Sequence, residues 1–232
     1  MSRIGKAYEA RFRTLLQSVR ARRLEKGVDA LVARALQLSA AGPMPPAAAF
    51  QRVYEILSAK PPFRRPAPAG EPRRFWCDVG LGGLARWLRA AGYEATWRDG
   101  IPDEELVEEA RATCTTILTT DSLLLERRCL RDGTVPALWL APAWGLREQL
   151  RQVFAEFRLP VRAPRCMACG GELAETSKES LRERIPPRTY LWLDEYFLCG
   201  RCGKLFWRGT HWLKIRGELE ELAGQSAGRK QA

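Results

Sequence analysis

Residues 74–97 read RFWCDVGLGGLARWLRAAGYEATW, and this stretch decides the fold. An apolar run over residues 74–79 is typical of a buried strand, and apolar residues recur at helical spacing over residues 84–91. Residues 93–97 return to a strand-like composition after Gly92, which ends the predicted helix. A strand, a helix and a second strand in this order predict a unit with two parallel strands joined by a crossover helix.

The alternation of strands and helices continues beyond residue 97. Strands are predicted at Thr115–Thr119 and Val135–Leu140, and helices are predicted from Pro102 and Asp103 onward, over Ser122–Arg131 and over Leu146–Phe157. This order predicts an α/β fold in which a parallel sheet is covered by helices on both faces.

Residues 1–60 have a different pattern, with apolar residues three and four positions apart in three successive stretches that predict three helices. The following stretch is rich in proline, alanine and arginine and predicts an extended linker. The predicted organisation is therefore a basic helical segment at 1–60, a linker at 61–73, a sheet domain at 74–160, a cysteine-containing ribbon at 161–216 and a tail at 217–232.

The positive charge of the chain is concentrated near its N-terminus. Of a net charge of +11, residues 1–74 contribute 15 basic against 5 acidic side chains, and the other 158 residues contribute 23 against 22. Such an excess favours a polyanionic partner, which is nucleic acid or, as the less favoured candidate, an anionic membrane surface. The candidate contacts are Arg11, Arg20, Arg22 and Arg23. The alternative is a solvated face that only keeps the protein soluble.

The sequence favours a cytoplasmic protein without a membrane partner. No apolar run approaches the roughly 20 residues that span a bilayer, and residues 1–30 are too basic and too helical in pattern for a signal peptide.

Three aspartates stand at or just beyond predicted strand ends. Asp78 ends the first strand, Asp103 begins the helix after the second, and Asp121 follows TILTT. Because the carboxyl ends of parallel strands border the functional crevice of such sheets, we expect these carboxylates to converge there. Carboxylates so gathered suit Mg²⁺ or Mn²⁺ and the hydrolysis of phosphodiesters. The alternative is that Asp103 and Asp121 only cap helices.

Four of the seven cysteines form two C-x-x-C pairs, Cys166/Cys169 and Cys199/Cys202. Each pair is followed by glycine, and this arrangement is typical of a zinc ribbon in which four thiolates hold a structural zinc ion. The 29 residues between the pairs predict an extra loop or hairpin. The remaining cysteines are expected to be buried and unreactive: Cys77, Cys114 and Cys129.

The segment KLFWRGTHWLKIR, residues 204–216, mixes aromatic and basic side chains after the second cysteine pair. Such a mixture can stack on unpaired bases and contact phosphates. The candidate contacts are Arg208, His211, Trp212 and Lys214. Packing beneath the ribbon is the alternative for the aromatic residues, and a purely structural role is the alternative for His211.

Several stretches together resemble the PIN-like ribonuclease family named after the carboxy-terminal part of the Mut-seven exonuclease, with its fused zinc ribbon. They are FWCDVGLGGLARWLRAAGYEA, PDEELVEEA, TILTTD, EQL, RCMACGGEL and FLCGRCGKLFWRGTHW, within residues 74–216. The resemblance implies a PIN-like fold and a ribonuclease directed at single strands. It also implies that Asp78, Asp103 and Asp121 match the positions that hold Mg²⁺ or Mn²⁺.

This sequence departs from the family pattern at two positions. Thr120 stands before the third aspartate where members typically carry arginine, and Gly170 stands where asparagine is often found. The leading hypothesis is a metal-dependent endoribonuclease. A non-catalytic module that binds RNA or the ribosome is the second hypothesis. The third hypothesis is a nuclease controlled by a regulatory protein partner, and the N-terminal helices could take the place of that partner.

Overall fold

The computed structural model describes residues 3–19, 21–58, 60 and 73–228. Arg20 and residues 61–72 of the predicted linker lie outside the described residues. The helices are α1 Arg3–Ser18, α2 Leu24–Ala40, α3 Pro46–Ser58, α4 Gly82–Ala90, α5 Asp103–Ala112, α6 Arg128–Arg131, α7 Leu146–Phe157, α8 Pro187–Trp192 and α9 Thr210–Gly228. The strands are β1 Arg74–Cys77, β2 Glu94–Trp97, β3 Thr116–Thr119, β4 Ala137–Trp139, β5 Leu173–Thr176, β6 Tyr196–Cys199 and β7 Leu205–Trp207.

Strand β1 lies inside the parallel sheet and is hydrogen-bonded on both sides. Phe75, Trp76 and Cys77 are buried. Cys77 pairs with Trp97 of β2 on one side and with Leu118 of β3 on the other, both in parallel register. The full strand order is β2-β1-β3-β4. This helix-flanked parallel sheet confirms the predicted α/β class and is consistent with a PIN-like fold.

The helix predicted over Ser122–Arg131 is interrupted. A short 3₁₀ turn covers Leu124–Glu126, and α6 begins only at Arg128. Between them Arg127 has an extended backbone, with φ −61° and ψ 134°, which cannot continue a helix.

The chain divides into two compact units. One consists of Met1–Gly70 and Thr119–Ala143, and the other of Glu71–Leu118 and Trp144–Ala232. The domain limits expected at residues 61–73 and 160/161 stay predictions.

Aromatic side chains form the core of the first unit. The ring of Tyr8 lies 6.1 Å from that of Phe50 and 6.2 Å from that of Trp139, and Phe12 stacks on Phe50 at 6.4 Å. All four side chains are nearly inaccessible to solvent. The apolar faces of the N-terminal helices are therefore used for packing within this unit, as their periodicity requires.

The second unit contains a small antiparallel sheet in the order β5-β6-β7, followed by the long helix α9. The segment expected to be a tail from residue 217 instead continues α9 to Gly228. Leu219 and Leu222 of this helix are buried, and Arg147 of α7 donates to Glu221 at 2.7 Å. Among the described helices, none combines the length and the apolar character needed to cross a bilayer.

The segment that leads into the ribbon is bonded to the C-terminal end of α4. Arg162 N–H donates to the Ala91 carbonyl at 3.0 Å, and Arg165 N–H donates to the Arg89 carbonyl at 2.9 Å. Gly92 makes this approach feasible, since it has φ +93° and a Cβ there would lie 2.5 Å from the Ala163 carbonyl oxygen. A side chain at position 92 is therefore excluded both by backbone conformation and by space.

We expect Gly92→Ala to destabilise the protein by about 2 kcal/mol or more, because it adds backbone strain and pushes the incoming segment away from α4. Thermal unfolding measures the change. The control is Gly217→Ala, where nothing lies within 4 Å of the added Cβ. Alanine favours that helix, so the control should leave the melting temperature unchanged or raise it. Equal melting temperatures for Gly92→Ala and the unaltered protein would contradict this account.

Candidate functional site

Two turns bring the four cysteines of the C-x-x-C pairs together. Cys166 and Cys169 precede β5, Cys199 ends β6, and Cys202 lies in the turn before β7. The sulfur atoms of Cys166 and Cys202 are 3.7 Å apart, and those of Cys169 and Cys199 are 3.4 Å apart. All four lie within 4.8 Å of one another. The predicted cysteine cluster is therefore present.

The backbone of each turn is shaped around its sulfur atoms. Gly170 and Gly203 have φ +76° and +66°, and their N–H groups donate to the carbonyls of Cys166 and Cys199 at 2.7 and 2.9 Å. Gly171 is also required, because a Cβ there would lie 2.8 Å from the sulfur of Cys199. The Gly171 N–H donates to the sulfur of Cys169 at 3.4 Å. The glycines thus close the turns and leave room for the ligands.

The cluster fits a tetrahedral metal centre. Zinc–sulfur bonds of about 2.3 Å in a tetrahedron separate the sulfur atoms by roughly 3.8 Å, close to the two distances above. All four cysteines are free of disulfide bonds. These four cysteines can hold a metal such as zinc, and the cluster is compatible with the predicted ribbon. Four protein ligands would leave no open position, so such an ion would be structural.

Asp78 leaves the sheet at the end of β1. Its N–H donates to the Leu118 carbonyl at 3.0 Å, which extends the pairing of β1 with β3 by one residue. Its Oδ1 accepts from Val79 N–H at 2.6 Å and so caps the short 3₁₀ turn Val79–Leu81. The side chain is half-buried.

The loop after Asp78 is supported by Trp97, a contact for which the sequence pattern gives no signal. The indole Nε1 donates to the Val79 carbonyl at 2.8 Å, and a Cβ on Gly82 would lie 2.9 Å from the indole ring. Trp97 ends β2, so the strand beside β1 also holds the loop that carries Asp78.

Asp103 and Asp121 differ in how their side chains are used. Asp103 is the first residue of α5, and Pro102 is the N-cap, so Asp103 is not the cap considered above. Asp121 Oδ1 accepts from Leu123 N–H at 2.7 Å, which closes a local turn. Both side chains are half-buried.

Among the described residues, one group of three or more potential metal ligands converges, and it consists of the four cysteines. Asp78, Asp103 and Asp121 do not form such a group. Their oxygen donors match hard cations such as Mg²⁺ in chemistry. Their role as a metal site stays a prediction.

The candidate RNA contacts lie in varied surroundings. Arg208 pairs with Glu195 at 3.0 Å and lies over the Phe197 ring. Arg11 lies 4.1 Å over the ring of Tyr54. Five candidates are exposed, namely Arg22, Arg23, Arg208, His211 and Lys214, and Trp212 is half-buried.

The aromatic residues of the ribbon divide into packed and exposed ones. Trp207 packs against the small core that contains Tyr196. Trp192, at the end of α8 in the insert between the cysteine pairs, is 82% exposed, and its neighbour Leu191 is 77% exposed. Trp192 carries no signal in the sequence, because no basic residue stands next to it.

Of the three remaining cysteines, Cys77 is buried as expected and the other two are not. Cys77 is fully buried, and burial raises the pKa of its thiol to about 12, so it remains a neutral thiol. Cys129 is half-buried, whereas Cys114 is exposed, which corrects the expectation that all three are buried. Cys114 has φ +52° in the turn after α5, and such a turn lies at the surface.

Comparison with known families identifies the chain. The model of the family described as "Mut7-C RNAse domain" matches residues 73–219, which is more than half of the chain and spans both the β1–α4–β2 unit and the four cysteines. No curated protein and no solved structure matches the sequence. This family indicates a ribonuclease-like role with RNA as substrate or partner. The chain belongs to the Mut7-C RNAse domain family.

Proposed function

We propose that this protein is a metal-dependent ribonuclease that hydrolyses phosphodiester bonds of RNA at Asp78, Asp103 and Asp121. The observation that carries the proposal is the position of Asp78 directly after β1, in a chain whose family is a ribonuclease domain family. The strands on either side of β1 lead to the other two aspartates, since Asp103 follows β2 and Asp121 follows β3.

The chemistry of the three side chains supports a hydrolytic role. Strands β2, β1 and β3 are parallel neighbours, and ligands of such sheets bind beyond the carboxyl ends of the strands. A bound Mg²⁺ or Mn²⁺ would supply a hydroxide-like nucleophile and neutralise the charge that develops on the phosphate. Asp78 would be held in place by its bond to Val79 N–H and by the Trp97 indole beneath the loop.

Thr120 bears on how the substrate is held. A neutral hydroxyl at this position cannot supply the charge that an arginine would bring to a phosphate group. We therefore propose that phosphate contacts come from the basic N-terminal segment and from the ribbon. A structural zinc ion at the four cysteines would keep the ribbon folded for this purpose.

Within the ribbon, Trp192 is the best-placed aromatic side chain to stack on a base. Its ring is largely open to solvent, whereas Trp207 packs in the ribbon core. Stacking is sequence-tolerant because every base has an aromatic face. Arg188 of the same helix is exposed and adds positive charge to this surface.

A non-catalytic RNA-binding protein is the second candidate. It is favoured by the side chains of Asp78 and Asp121, which each accept a bond from a nearby backbone N–H as turn residues do. This candidate predicts salt-dependent RNA binding without cleavage.

Replacing the aspartates tests the catalytic proposal. We expect Asp78→Asn and Asp121→Asn each to lower the Mn²⁺-dependent cleavage rate of single-stranded RNA by about 100-fold or more, because a metal ligand is lost while the turn bond is kept. The rate is measured on end-labelled RNA with and without added Mg²⁺ or Mn²⁺, after the protein has been freed of loosely bound ions.

The matched control is Glu108→Gln on the exposed side of α5, which should cleave at the normal rate. Full cleavage by the Asp78→Asn, Asp121→Asn double variant would refute the catalytic site. Tight RNA binding by the unaltered protein with no metal-stimulated cleavage would support the second candidate instead.

Charge substitutions test the basic segment more cleanly than its deletion, because removal of α1 would expose the Trp139 ring that packs on Tyr8. We expect Arg22→Gln together with Arg23→Gln to weaken RNA binding and to reduce the slope of log K against log salt by about 1.4, or about 0.7 per lost phosphate contact. Fluorescence anisotropy at several salt concentrations measures the slope. Arg111→Gln in α5 is the control, and an unchanged slope in the double variant would mean that these charges do not contact RNA.

Trp192→Ala tests base stacking. One stacked base contributes about 1 to 3 kcal/mol, so we expect the affinity for single-stranded RNA to fall by about 5-fold to 150-fold. Leu191→Ala is the matched control, since it is similarly exposed but has no ring. Equal losses in both variants would indicate a general apolar contact rather than stacking.

A further inference from the structure

Three arginines surround the first cysteine turn, which is the turn that carries Cys166 and Cys169. Its four consecutive carbonyl oxygens, from residue 167 to residue 170, each accept a hydrogen bond from a guanidinium group. The donors and acceptors are Arg89 Nη1 to Met167 at 3.2 Å and to Ala168 at 2.8 Å, Arg201 Nη1 to Cys169 at 3.0 Å, and Arg165 Nε to Gly170 at 2.7 Å. The ribbon turn is thus held by cations from three different parts of the second unit.

Arg89 is the unusual member of this group because it is buried. It is 6% exposed, lies near the end of α4, and its Nε donates to the Ala95 carbonyl of β2 at 2.7 Å. One side chain therefore joins α4, β2 and the cysteine turn. Within the described residues, its hydrogen bonds go to backbone carbonyls and none to a carboxylate.

A buried guanidinium without a carboxylate partner needs a source of negative charge. A divalent ion bound by four thiolates supplies it, because the charge of four thiolates exceeds that of the ion. Groups just outside the ligands are known to orient them and to tune metal affinity. The position of Arg89 against the first turn matches this requirement.

We infer that Arg89 is a positioning residue for a metal centre at Cys166, Cys169, Cys199 and Cys202, and that it couples metal binding to the corner formed by α4 and β2. Arg89 holds the first turn in its ligating shape and compensates the charge of the loaded centre. By linkage, the metal stabilises the formed α4–β2 corner by the same factor by which the formed corner strengthens metal binding. The coupling does not depend on the proposed nuclease activity.

Metal affinity of the full chain provides the first test. Zn²⁺ affinity is measured by competition with a chromophoric chelator, for the unaltered protein and for Arg89→Met, which keeps the length of the side chain but loses its charge and donors. We expect Arg89→Met to bind Zn²⁺ about 10-fold to 100-fold more weakly. Arg89→Lys keeps the charge but cannot reach all three carbonyls, so its affinity should lie between the two.

Arg86→Met on the exposed side of α4 is the matched control and should bind Zn²⁺ normally. Unchanged Zn²⁺ affinity in a folded Arg89→Met protein would overturn the inference. A loss of the same size in Arg86→Met would also overturn it, because the effect would then follow from any substitution in α4.

Hydrogen exchange of the unaltered protein gives a second test that needs no variant. We expect removal of Zn²⁺ to speed amide exchange in α4 and β2 as well as in the ribbon, because the Arg89 bonds to residues 167 and 168 are lost with the turn. Exchange that quickens in the ribbon alone, with α4 and β2 unaffected, would overturn the coupling.

Discussion

The central position of strand β1 is the constraint on which the sheet and the candidate site depend. Phe75, Trp76 and Cys77 are buried, and β1 is hydrogen-bonded to β2 and β3 at once, so a one-residue slip would bring Arg74 or Asp78 into a buried position. Asp78 is the first residue to leave this arrangement, and its N–H still follows the register by donating to Leu118. The position of the Asp78 backbone is therefore set by the sheet and not by a flexible loop.

The C-terminal end of α4 is the second fixed point of the same unit. Two of its last carbonyls accept bonds from the segment that leads into the ribbon, and Arg89 reaches the first cysteine turn from the same end. Helix ends leave carbonyls without partners inside the helix, so the incoming segment serves as their cap. The family match covers both α4 and the ribbon, as expected for parts of one packed unit.

Much of this architecture was predictable because local sequence determines it. Strands β1 and β3, helix α7 and the cysteine pairs follow from apolar runs, helical periodicity and spacing. Arg127 breaks a predicted helix through its backbone conformation, and periodicity carries no signal for that. The expected tail is helical because Leu219 and Leu222 are buried, and Gly217 obscured their pattern. Arg89 stands where the helical period calls for an apolar residue, but its carbonyl partners lie 78 and 79 residues away in the chain.

The first unit is discontinuous in sequence, since it joins the N-terminal helices to Thr119–Ala143. The indole of Trp139, which also donates to the Thr120 carbonyl at 3.1 Å, is covered by the ring of Tyr8 from more than a hundred residues earlier. A polypeptide trimmed to the limits of the family match would start after that ring and leave the indole bare to water. During synthesis, the aromatic core of the first three helices can likewise be completed only after β4, which carries Trp139, has been synthesised.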